Sequence, residues 1–536
     1  MSQSPPIPDL KFFPKLRGRY YLLLGILGLL QLALDFSLVS AGCVTIIGIA
    51  AWLTARSLLR PTVFPRYPLS TLAVFVYSVV TQPMAMLGTL LDGHAVTYLL
   101  LDPLTTFGWI AFTQMLLLAG HAIYRRFTFC ETVRADLSGK LFLAIGLFTV
   151  PTAIQLWVLG FTGIAAMFIA GAGGGEGGAL FKFVAAFIPL MYAPFLIVLH
   201  RFVDERSRRL GQVQTAVMVL YFLIVLGLSL VINSRGGFAM VFAMLAYTLI
   251  LGLFTGRISS KLLRPRYVIP LCIGGLIGLM AFSQLALSMQ VARKYRGQAS
   301  PLEMVKITMG ALVDPARVRA LEQFQSSEVM NGNFGFWDER YISNVLLARL
   351  VPVRFHDLTL HAVSLYGPGA VERVRSYSLS RFYAMFPSPL LRLVGINVNK
   401  EFLNLFSVGD YMYFAATNKG LGVHRTGSFI AQGLVLFGPV GFAIFVLALC
   451  VACSVVLDSL MLRKGLQVRF SSLSILFIVP LAQIYAVESV NFQIEFFIRF
   501  LPQTILIYLL AFHGTRMFAG FGGTPQTRLS PRPRIS

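Results

Sequence analysis

The sequence predicts an all-α protein that crosses a membrane about twelve times and carries one large loop on a single side. Of its 536 residues, 56% are hydrophobic and only 12% are charged, and the mean hydropathy is +0.74. Apolar runs of about 18 residues or more recur along the chain, and each is long enough to cross ~30 Å of hydrocarbon as a helix. Backbone groups in lipid must be paired within their own segment, and the runs lack the alternation of β-barrel strands, so helices are predicted.

Twelve apolar runs define the predicted membrane helices. The first two are separated only by a turn near residues 35–37, so they form either a helical hairpin or one broken element. The runs cover residues 20–37, 38–55, 69–91, 104–123, 141–161, 181–199, 212–232, 236–256, 267–288, 427–457, 470–488 and 499–515. The predicted divisions are therefore helices 1–9 within residues 1–289, a loop at 290–426, helices 10–12 within 427–516, and a tail at 517–536.

The polar stretch at 290–426 is the only long part of the chain that could not lie in a bilayer. It holds sixteen Lys/Arg and ten Asp/Glu but none of the five cysteines, so it has no disulfide framework. Apolar residues recur at helical spacing in 301–325 and 341–350, whereas 373–383 mixes arginines with aromatic rings. Large apolar residues are too few to predict an independent domain, and we expect the loop to cover the helix ends as a lid.

The distribution of positive charge predicts the orientation in the membrane. The net charge is +23, but 26 Lys/Arg lie in the termini and alternate short loops, against three, Lys182, Arg235 and Arg499, in the intervening short connections. By the positive-inside rule, both termini are cytoplasmic and the large loop is outside. The basic residues are thus explained by membrane topology, and no nucleic-acid partner is expected.

Metal and redox sites find little support in the sequence. His356, Asp357 and His361 form the only His/Asp cluster of the loop, and their spacing matches no common metal site. Cys450 and Cys453 lie in an apolar helix, where small packing residues are expected. Asp92 and His94, on the first sizeable outer turn, remain a minor candidate for a catalytic acid.

Three outer positions carry the chemistry that stands out. Arg235, in a Ser-Arg-Gly-Gly motif, is either an anion-binding group beside a helix N-terminus or a loop arginine at the headgroup level. His424, beside the chain's return into the membrane, is either a general base or an interfacial anchor. Glu488, close to Glu495 and Arg499 in the last outer turn, is either paired with an arginine, the favoured reading, or a proton acceptor.

Over roughly residues 210–460 the chain resembles the Wzy-type O-antigen and oligosaccharide repeat-unit polymerases. The resemblance rests on the twelve helices, the large loop between the ninth and tenth, Arg235 in its motif, and the Gly-Ser-Phe-Ile-Ala-Gln-Gly segment from Gly427 followed by Gly438-x-x-Gly441. The related O-antigen ligases share this layout but place a His eleven residues before the first Gly of Gly-x-x-Gly. Here that position is Gly427 and His424 lies three residues earlier, which favours a polymerase.

The resemblance implies a GT-C-like glycosyltransferase of a bacterial inner membrane. Its substrate would be an undecaprenyl-pyrophosphate-linked glycan, polymerised at the periplasmic face into O-antigen, capsule or exopolysaccharide. A metal-independent reaction without cofactor would need arginines for the leaving pyrophosphate, a proton acceptor for the acceptor hydroxyl, and rings on which sugars stack. The candidates are Arg235, His424, Glu488 and Asp410 for catalysis, and Arg293, Arg296, Arg340, Arg373, Arg375, Arg381, Arg425, Tyr377, Tyr411 and Trp337 for substrate binding.

Other partners and functions remain open at this stage. The resemblance implies membrane lipids, a chain-length regulator and a flippase as partners. A ligase, or a flippase or transporter of the same lipid-linked glycan, is the alternative function. A flippase should carry polar or charged residues deep inside several helices, along a path. The apolar runs hold almost no charges in their middles, and this favours the polymerase.

Overall fold

The computed structural model describes residues 12–127, 146–172, 183–203, 211–231, 235–259, 264–293, 301–314, 316, 336–339, 341–422, 425–464 and 467–520. Over these residues the chain is an all-α protein apart from one two-stranded hairpin, and it has the character of a multi-pass membrane protein. Eight of the described helices are long and apolar enough to span a membrane. They are Leu38–Leu58, Pro68–Leu91, Pro103–Arg126, Phe183–Val203, Gln212–Val231, Arg266–Met289, Phe429–Ser459 and Val490–Met517.

Five helices form the N-terminal part of the bundle. They are α1 (Phe12–Leu34), α2 (Leu38–Leu58), α3 (Pro68–Thr81), α4 (Pro83–Leu91) and α5 (Pro103–Arg126). Proline stands at the first position of α3, α4 and α5, where its missing N–H costs nothing. The first two apolar runs thus form two helices packed as a hairpin, with Ser37 capping α2.

The middle of the bundle contains a 3₁₀ segment (Ile188–Phe195) and five helices. These are α6 (Ala153–Ala172), α7 (Leu196–Val203), α8 (Gln212–Val231), α9 (Arg235–Phe254) and α10 (Pro265–Arg293). The helix expected at 141–161 lies further along the chain, since α6 begins only at Ala153. Two of these helices, α6 and α9, are not among the eight candidate spans, because their apolar stretches are too short over the residues described.

The large loop folds into short helices that join the bundle. They are α11 (Pro301–Val313), α12 (Val345–Leu350), α13 (Val353–Ser364), α14 (Ala370–Ala384), α15 (Ser388–Leu393), α16 (Lys400–Leu405) and α17 (Val408–Thr417). Tyr341, Ile342 and Val353 belong to the same buried apolar cluster as the membrane helices. Helix α13 packs on α5. The described loop helices therefore share an apolar core with the membrane helices.

The C-terminal part begins with the longest helix, α18 (Phe429–Ser459), which is kinked where Gly438 adopts a φ of 67° ahead of Pro439. It packs against α5, α13 and α14. A hairpin of β1 (Met461–Lys464) and β2 (Gln467–Phe470) follows, with Met461 opposite Phe470. The remaining elements are α19 (Ser472–Leu476), α20 (Ile478–Ala482), α21 (Val490–Glu495), a π-helical turn (Phe496–Phe500) and α22 (Leu501–Gly520).

One predicted membrane helix has a different structure. The apolar run at 470–488 folds as the two five-residue helices α19 and α20. Pro480 has no N–H to donate to the carbonyl of Leu476, which is the residue at which α19 ends. Hydropathy predicts one continuous span here because it measures only apolar character and not the absence of the N–H group of Pro480.

Candidate functional site

The loop helices meet the membrane helices at two glycines, Gly409 and Gly427. We call this region the junction. A Cβ at Gly427 would lie 2.9 Å from the carbonyl oxygen of Glu488 and 3.1 Å from the backbone nitrogen of Gly409. The backbones of the first turn of α17, the segment before α18 and the segment before α21 therefore approach each other more closely than side chains would allow. Glycine at 427 is explained by this packing.

The start of α18 is capped from within the junction. The hydroxyl of Ser428 accepts from the N–H of Ala431 and lies 2.7 Å from Nδ1 of His356, on α13. Burial lowers the pKa of His356 to about 4, so its imidazole is neutral at physiological pH. A neutral, buried histidine at this position orients the cap and is poorly placed to exchange protons with solvent.

A buried amide network fixes α14 to α18 and α21. The side-chain nitrogen of Gln432 donates to Ser378 (2.9 Å) and to the side-chain oxygen of Asn491 (2.6 Å). Its oxygen accepts from the backbone N–H of Val490 (2.8 Å). Asn491 in turn donates to the backbone carbonyl of Ser378 (2.9 Å). One loop helix is thereby tied to two membrane helices by groups that are satisfied by one another.

Asp357 fastens the loop to the other end of the junction. Its carboxylate accepts from the backbone N–H groups of Leu101 and Asp102, from the hydroxyl of Thr106, and from Arg354 at 2.9 Å. Both members of the ion pair are buried. Within the sequence cluster, His356 and Asp357 therefore attach the loop to the bundle, whereas the His361 ring contacts Phe336 in the loop. No group of three or more metal-binding side chains occurs among the residues described.

Asp410 and Arg425 form a second buried ion pair, 3.4 Å between Nη1 and Oδ1. Asp410 accepts from the backbone N–H of Arg425 and completes a capping box with Ser407 at the start of α17. The Arg425 guanidinium lies 4.0 Å from the centre of the Tyr413 ring. Both side chains are almost wholly inaccessible. Burial and mutual pairing argue against a general base at Asp410 and a phosphate ligand at Arg425, and both roles stay predictions.

Glu488 has a different environment in the same junction. Its side chain reaches solvent, and no hydrogen bond to it occurs among the described residues. Although the residue is exposed as a whole, protein atoms around its carboxylate partly desolvate it and raise its pKa. The guanidinium groups of Arg381 and Arg349 lower the pKa, and the carboxylate of Glu339 raises it further. These four residues, which we call the Glu488 cluster, bring two carboxylates and two cations to one accessible place.

Glu339 is held in the Glu488 cluster by two donors. Its Oε1 accepts from the backbone N–H of Thr426 (2.8 Å) and from the indole N–H of Trp337 (3.2 Å). Arg349 lies 3.4 Å from the hydroxyl of the same Thr426. Glu339 and Glu488 therefore flank residues 426 and 427. Neither Glu339 nor Arg349 was a candidate from the sequence, where the only signal is an acidic residue two positions after a tryptophan.

Arg381 connects the Glu488 cluster to the ring stack of the loop. Its Nη1 donates to the carbonyls of Leu403 and Phe406, both at 2.9 Å, and lies 3.3 Å from the hydroxyl of Tyr377. The rings of Tyr377 and Tyr411 are parallel, with centroids 3.9 Å apart. Because each of these two rings already has one face covered by the other, the pair offers fewer faces to a sugar than two free rings would.

Two further loop arginines bind backbone carbonyls. Arg373 donates to the carbonyl of Ala415 (3.2 Å) and to the side chain of Asn418 (2.8 Å), which ends α17. Arg375 donates to the carbonyl of Val435 (3.3 Å) in α18. That carbonyl would ordinarily accept from residue 439, which is a proline and has no N–H. Arg375 thus compensates for the kink, although its side chain is otherwise exposed.

The remaining candidates lie outside the described side chains. Arg235 is the first residue of α9 and Arg293 the last of α10, and of both only the backbone is described. Arg296, Arg340 and His424 fall outside the described residues. Next to Arg235, Gly237 packs directly against the hydroxyl of Ser229, so that any side chain there would collide with α8. The roles of these five residues remain predictions.

The minor candidates at the outer turn also have local partners. Asp92 accepts from the backbone N–H of Ser343, at the start of the loop's docked part. His94 stacks on Tyr98 with ring centroids 4.0 Å apart. Asp92 therefore contributes to the attachment of the loop, as Asp357 does.

Fold and site together define an α-helical, multi-pass membrane protein with a helical loop docked on one side of its bundle. No protein-family model, curated protein or solved structure matches this chain.

Proposed function

We propose that this protein is a Wzy-type polymerase, a glycosyltransferase that joins undecaprenyl-pyrophosphate-linked oligosaccharide repeat units into O-antigen, capsule or exopolysaccharide. In this proposal the loop faces the periplasm and both termini lie in the cytoplasm of a bacterium, with the protein in its inner membrane. The observation that carries the proposal is the Glu488 cluster, which places a carboxylate with a raised pKa beside two arginines where the loop meets the membrane helices.

The reaction requires a carboxylate to accept a proton and cations to stabilise the leaving pyrophosphate. The oxygen of the acceptor hydroxyl bonds to the anomeric carbon of the donor, and the bond from that carbon to the pyrophosphate oxygen breaks. Undecaprenyl pyrophosphate leaves with the electron pair, and the hydroxyl proton passes to the carboxylate of Glu488. A raised pKa brings the base nearer to the operating pH, where general-base catalysis is most effective.

Arginines supply the positive charge that the leaving group requires. Guanidinium groups match phosphate oxygens in bidentate fashion, and fixed donors are most effective where negative charge develops. Arg349 and Arg381 border Glu488, and Arg235 begins α9. Because Arg381 also bonds two backbone carbonyls, Arg349 is better placed than Arg381 to move towards a pyrophosphate. Arg235 is kept in the proposal as a second phosphate-binding arginine.

The interior of the bundle favours this function over transport. Several buried polar side chains of the described membrane helices bond to a neighbouring helix: Gln114 donates to Thr54 (2.9 Å), and Gln31 donates to Thr89 (2.9 Å). Where α3, α5 and α18 meet on the side away from the loop, Asp458 accepts from Ser70 (2.7 Å) and Tyr124 (3.0 Å). Pairs of this kind join neighbouring helices and do not form a path for a glycan.

The proposal is tested by the length of the glycan chains that a strain makes. Deletion of the gene should leave only single repeat units on the lipid carrier or acceptor, and the wild-type gene should restore long chains on a gel. Arg235→Ala should fail to restore them, because losing one contact to a developing charge costs on the order of 3 kcal/mol, about a hundredfold in rate. Arg235→Lys should restore them in part, since an ammonium lacks the bidentate geometry.

The result that contradicts the proposal is equally direct. If the deletion strain still makes long glycan chains but loses whole repeat units from the outer face of the membrane, the protein is a flippase. If chains are polymerised but are not transferred to their final acceptor, it is a ligase. Membrane abundance of each variant is measured beside the gel.

A further inference from the structure

Part of the loop exposes a group of large apolar side chains that the bundle leaves uncovered. We call it the apolar patch; it consists of Leu390, Leu393, Val394, Phe402 and Leu405, on α15, α16 and the residue after α15. Leu393 is 84% exposed, Val394 62% and Leu405 60%. Single exposed apolar residues are ordinary, but a group of this kind marks an interaction surface.

The apolar patch is attached to α14 by specific contacts. Arg381, on α14, donates to the carbonyls of Leu403 and Phe406 at the end of α16, both at 2.9 Å. The hydroxyl of Tyr377 donates to the same carbonyl of Phe406 (2.9 Å). Lys400 at the start of α16 donates to the carbonyl of Phe386, just beyond α14. The position of α14 relative to the membrane therefore sets the position of α16, which carries Phe402 and Leu405 of the patch.

Helix α14 lies beside the first turns of a membrane-spanning helix. Ser378 bonds to Gln432, and Arg375 bonds to the carbonyl of Val435, which is within the apolar span α18. Phe437 and Val440, one turn further along α18, are 41% and 75% exposed. An apolar side chain exposed on a spanning helix faces lipid, so α14 lies close to the depth at which α18 meets the bilayer.

We propose that the apolar patch lies in the leaflet of the bilayer on the loop side, as an element parallel to the membrane surface. The patch has the composition of an interfacial segment, with large apolar side chains that enter the boundary between headgroups and acyl chains. Arg392, exposed between Leu391 and Leu393, supplies a cation at the level of lipid phosphates. The loop is then partly immersed in the membrane. This inference is independent of the proposed function.

The test uses a photoreactive residue, p-benzoyl-phenylalanine, placed at single exposed positions of the full-length protein in native membranes. In place of Leu393 it should form an adduct with lipid on irradiation, as detected by mass spectrometry of the purified protein. The same residue in place of Val440, on α18, is the control for a lipid-facing position. In place of Lys419, in the exposed polar turn after α17, it is the control for water. Since all three side chains are exposed, the replacements disturb no packing.

The outcomes separate lipid from the other possible occupants. Lipid adducts at 393 and 440 without one at 419 support the proposal. A cross-linked dimer at 393 would show a second copy of this chain on the patch, and a heavier adduct another protein; either would overturn it. Failure to label lipid at 393 while 440 labels, or equal lipid labelling at 419, would overturn it as well, because the patch would then show no preference for lipid.

Discussion

Asp357 and Glu488 lie at the same junction between loop and bundle, but their surroundings are opposite. Asp357 is buried and accepts from four donors, including Arg354. Glu488 reaches solvent and has cationic neighbours in Arg349 and Arg381 without a hydrogen bond from the residues described. A carboxylate whose oxygens are fully used can only hold structure, whereas one with free oxygens and a raised pKa can accept a proton.

The same difference in burial and pairing divides the candidate residues from the sequence into two groups. Asp410 and Arg425 are buried against one another and resemble Asp357 and Arg354. Arg373 and Arg375 bind backbone carbonyls of helices. Buried ion pairs cost desolvation energy and contribute little net stability. The pair of Arg354 and Asp357 attaches the loop to the bundle through Leu101, Asp102 and Thr106, whereas the pair of Asp410 and Arg425 lies within the loop.

The largest expected effect is that of replacing Glu488, the accessible carboxylate. Glu488→Gln should lower the rate of glycan polymerisation by about 10²–10⁴-fold, the usual contribution of a general base. Stability should change by less than about 0.5 kcal/mol, as for an accessible side chain. The measurements are polymerisation of lipid-linked repeat units by purified protein in nanodiscs and its thermal unfolding.

Glu495→Gln is the matched control for this variant. Glu495 lies seven residues further on and forms an accessible pair with Arg499 at 3.1 Å. Pairs of this kind contribute about 0.3–0.5 kcal/mol, so both activity and unfolding should stay close to the wild type. Wild-type rates from Glu488→Gln would remove Glu488 from the chemistry and leave His424 as the candidate base.

The next largest effect is that of replacing Asp357, the buried carboxylate. Asp357→Asn leaves Arg354 buried without its counter-ion and should destabilise the docked loop by about 3–5 kcal/mol. Hydrogen exchange should accelerate in residues 92–102 and 341–365, which the carboxylate joins, while helices far from the junction stay protected. Unchanged exchange with loss of polymerisation would show instead that Asp357 takes part in the reaction.

The sequence predicts the membrane helices better than the junction, and the reason is physical. A long apolar run is a local property, so eight spans appear where hydropathy places them, whereas the run at 470–488 is interrupted by Pro480. The ion pair of Arg354 and Asp357 is local too, but the donors from Leu101 and Asp102 lie about 255 residues away. Contacts across such separations depend on the complete packing of loop on bundle.

The candidate site divides in the same way. Glu488 is recognisable because a carboxylate beside an apolar run is unusual, and Arg381 because it accompanies aromatic residues. Glu339 and Arg349 gave no such signal, since each is an ordinary charge in a polar loop until the fold brings it to Glu488. Asp410 and Arg425 are the converse case: their residue types suit catalysis, but they are buried against one another, which the sequence does not indicate.

A smaller effect is expected on the pH dependence of the rate, which the neighbours of Glu488 control. The base must be unprotonated, so the rate falls as pH falls through the pKa of Glu488. Glu339→Gln removes a negative neighbour, which lowers that pKa and moves the acid limb to lower pH; Arg349→Gln removes a positive neighbour and moves it to higher pH. Opposite shifts in the pH profile of kcat/KM are the readout, and shifts in one direction would show that another group titrates.

The smallest effect separates substrate binding from helix packing at Arg375. Its donor satisfies the carbonyl of Val435, which Pro439 leaves without an intrahelical partner. Arg375→Gln should therefore cost about 1 kcal/mol of stability, the usual value of one hydrogen bond. Arg375→Lys, which keeps a donor within reach, should cost less. The measurement is thermal unfolding together with polymerisation per folded molecule, and the latter should match the wild type in both variants, because a carbonyl partner leaves no role for Arg375 in holding pyrophosphate. A loss of rate in Arg375→Gln at unchanged stability would return Arg375 to the substrate-binding arginines.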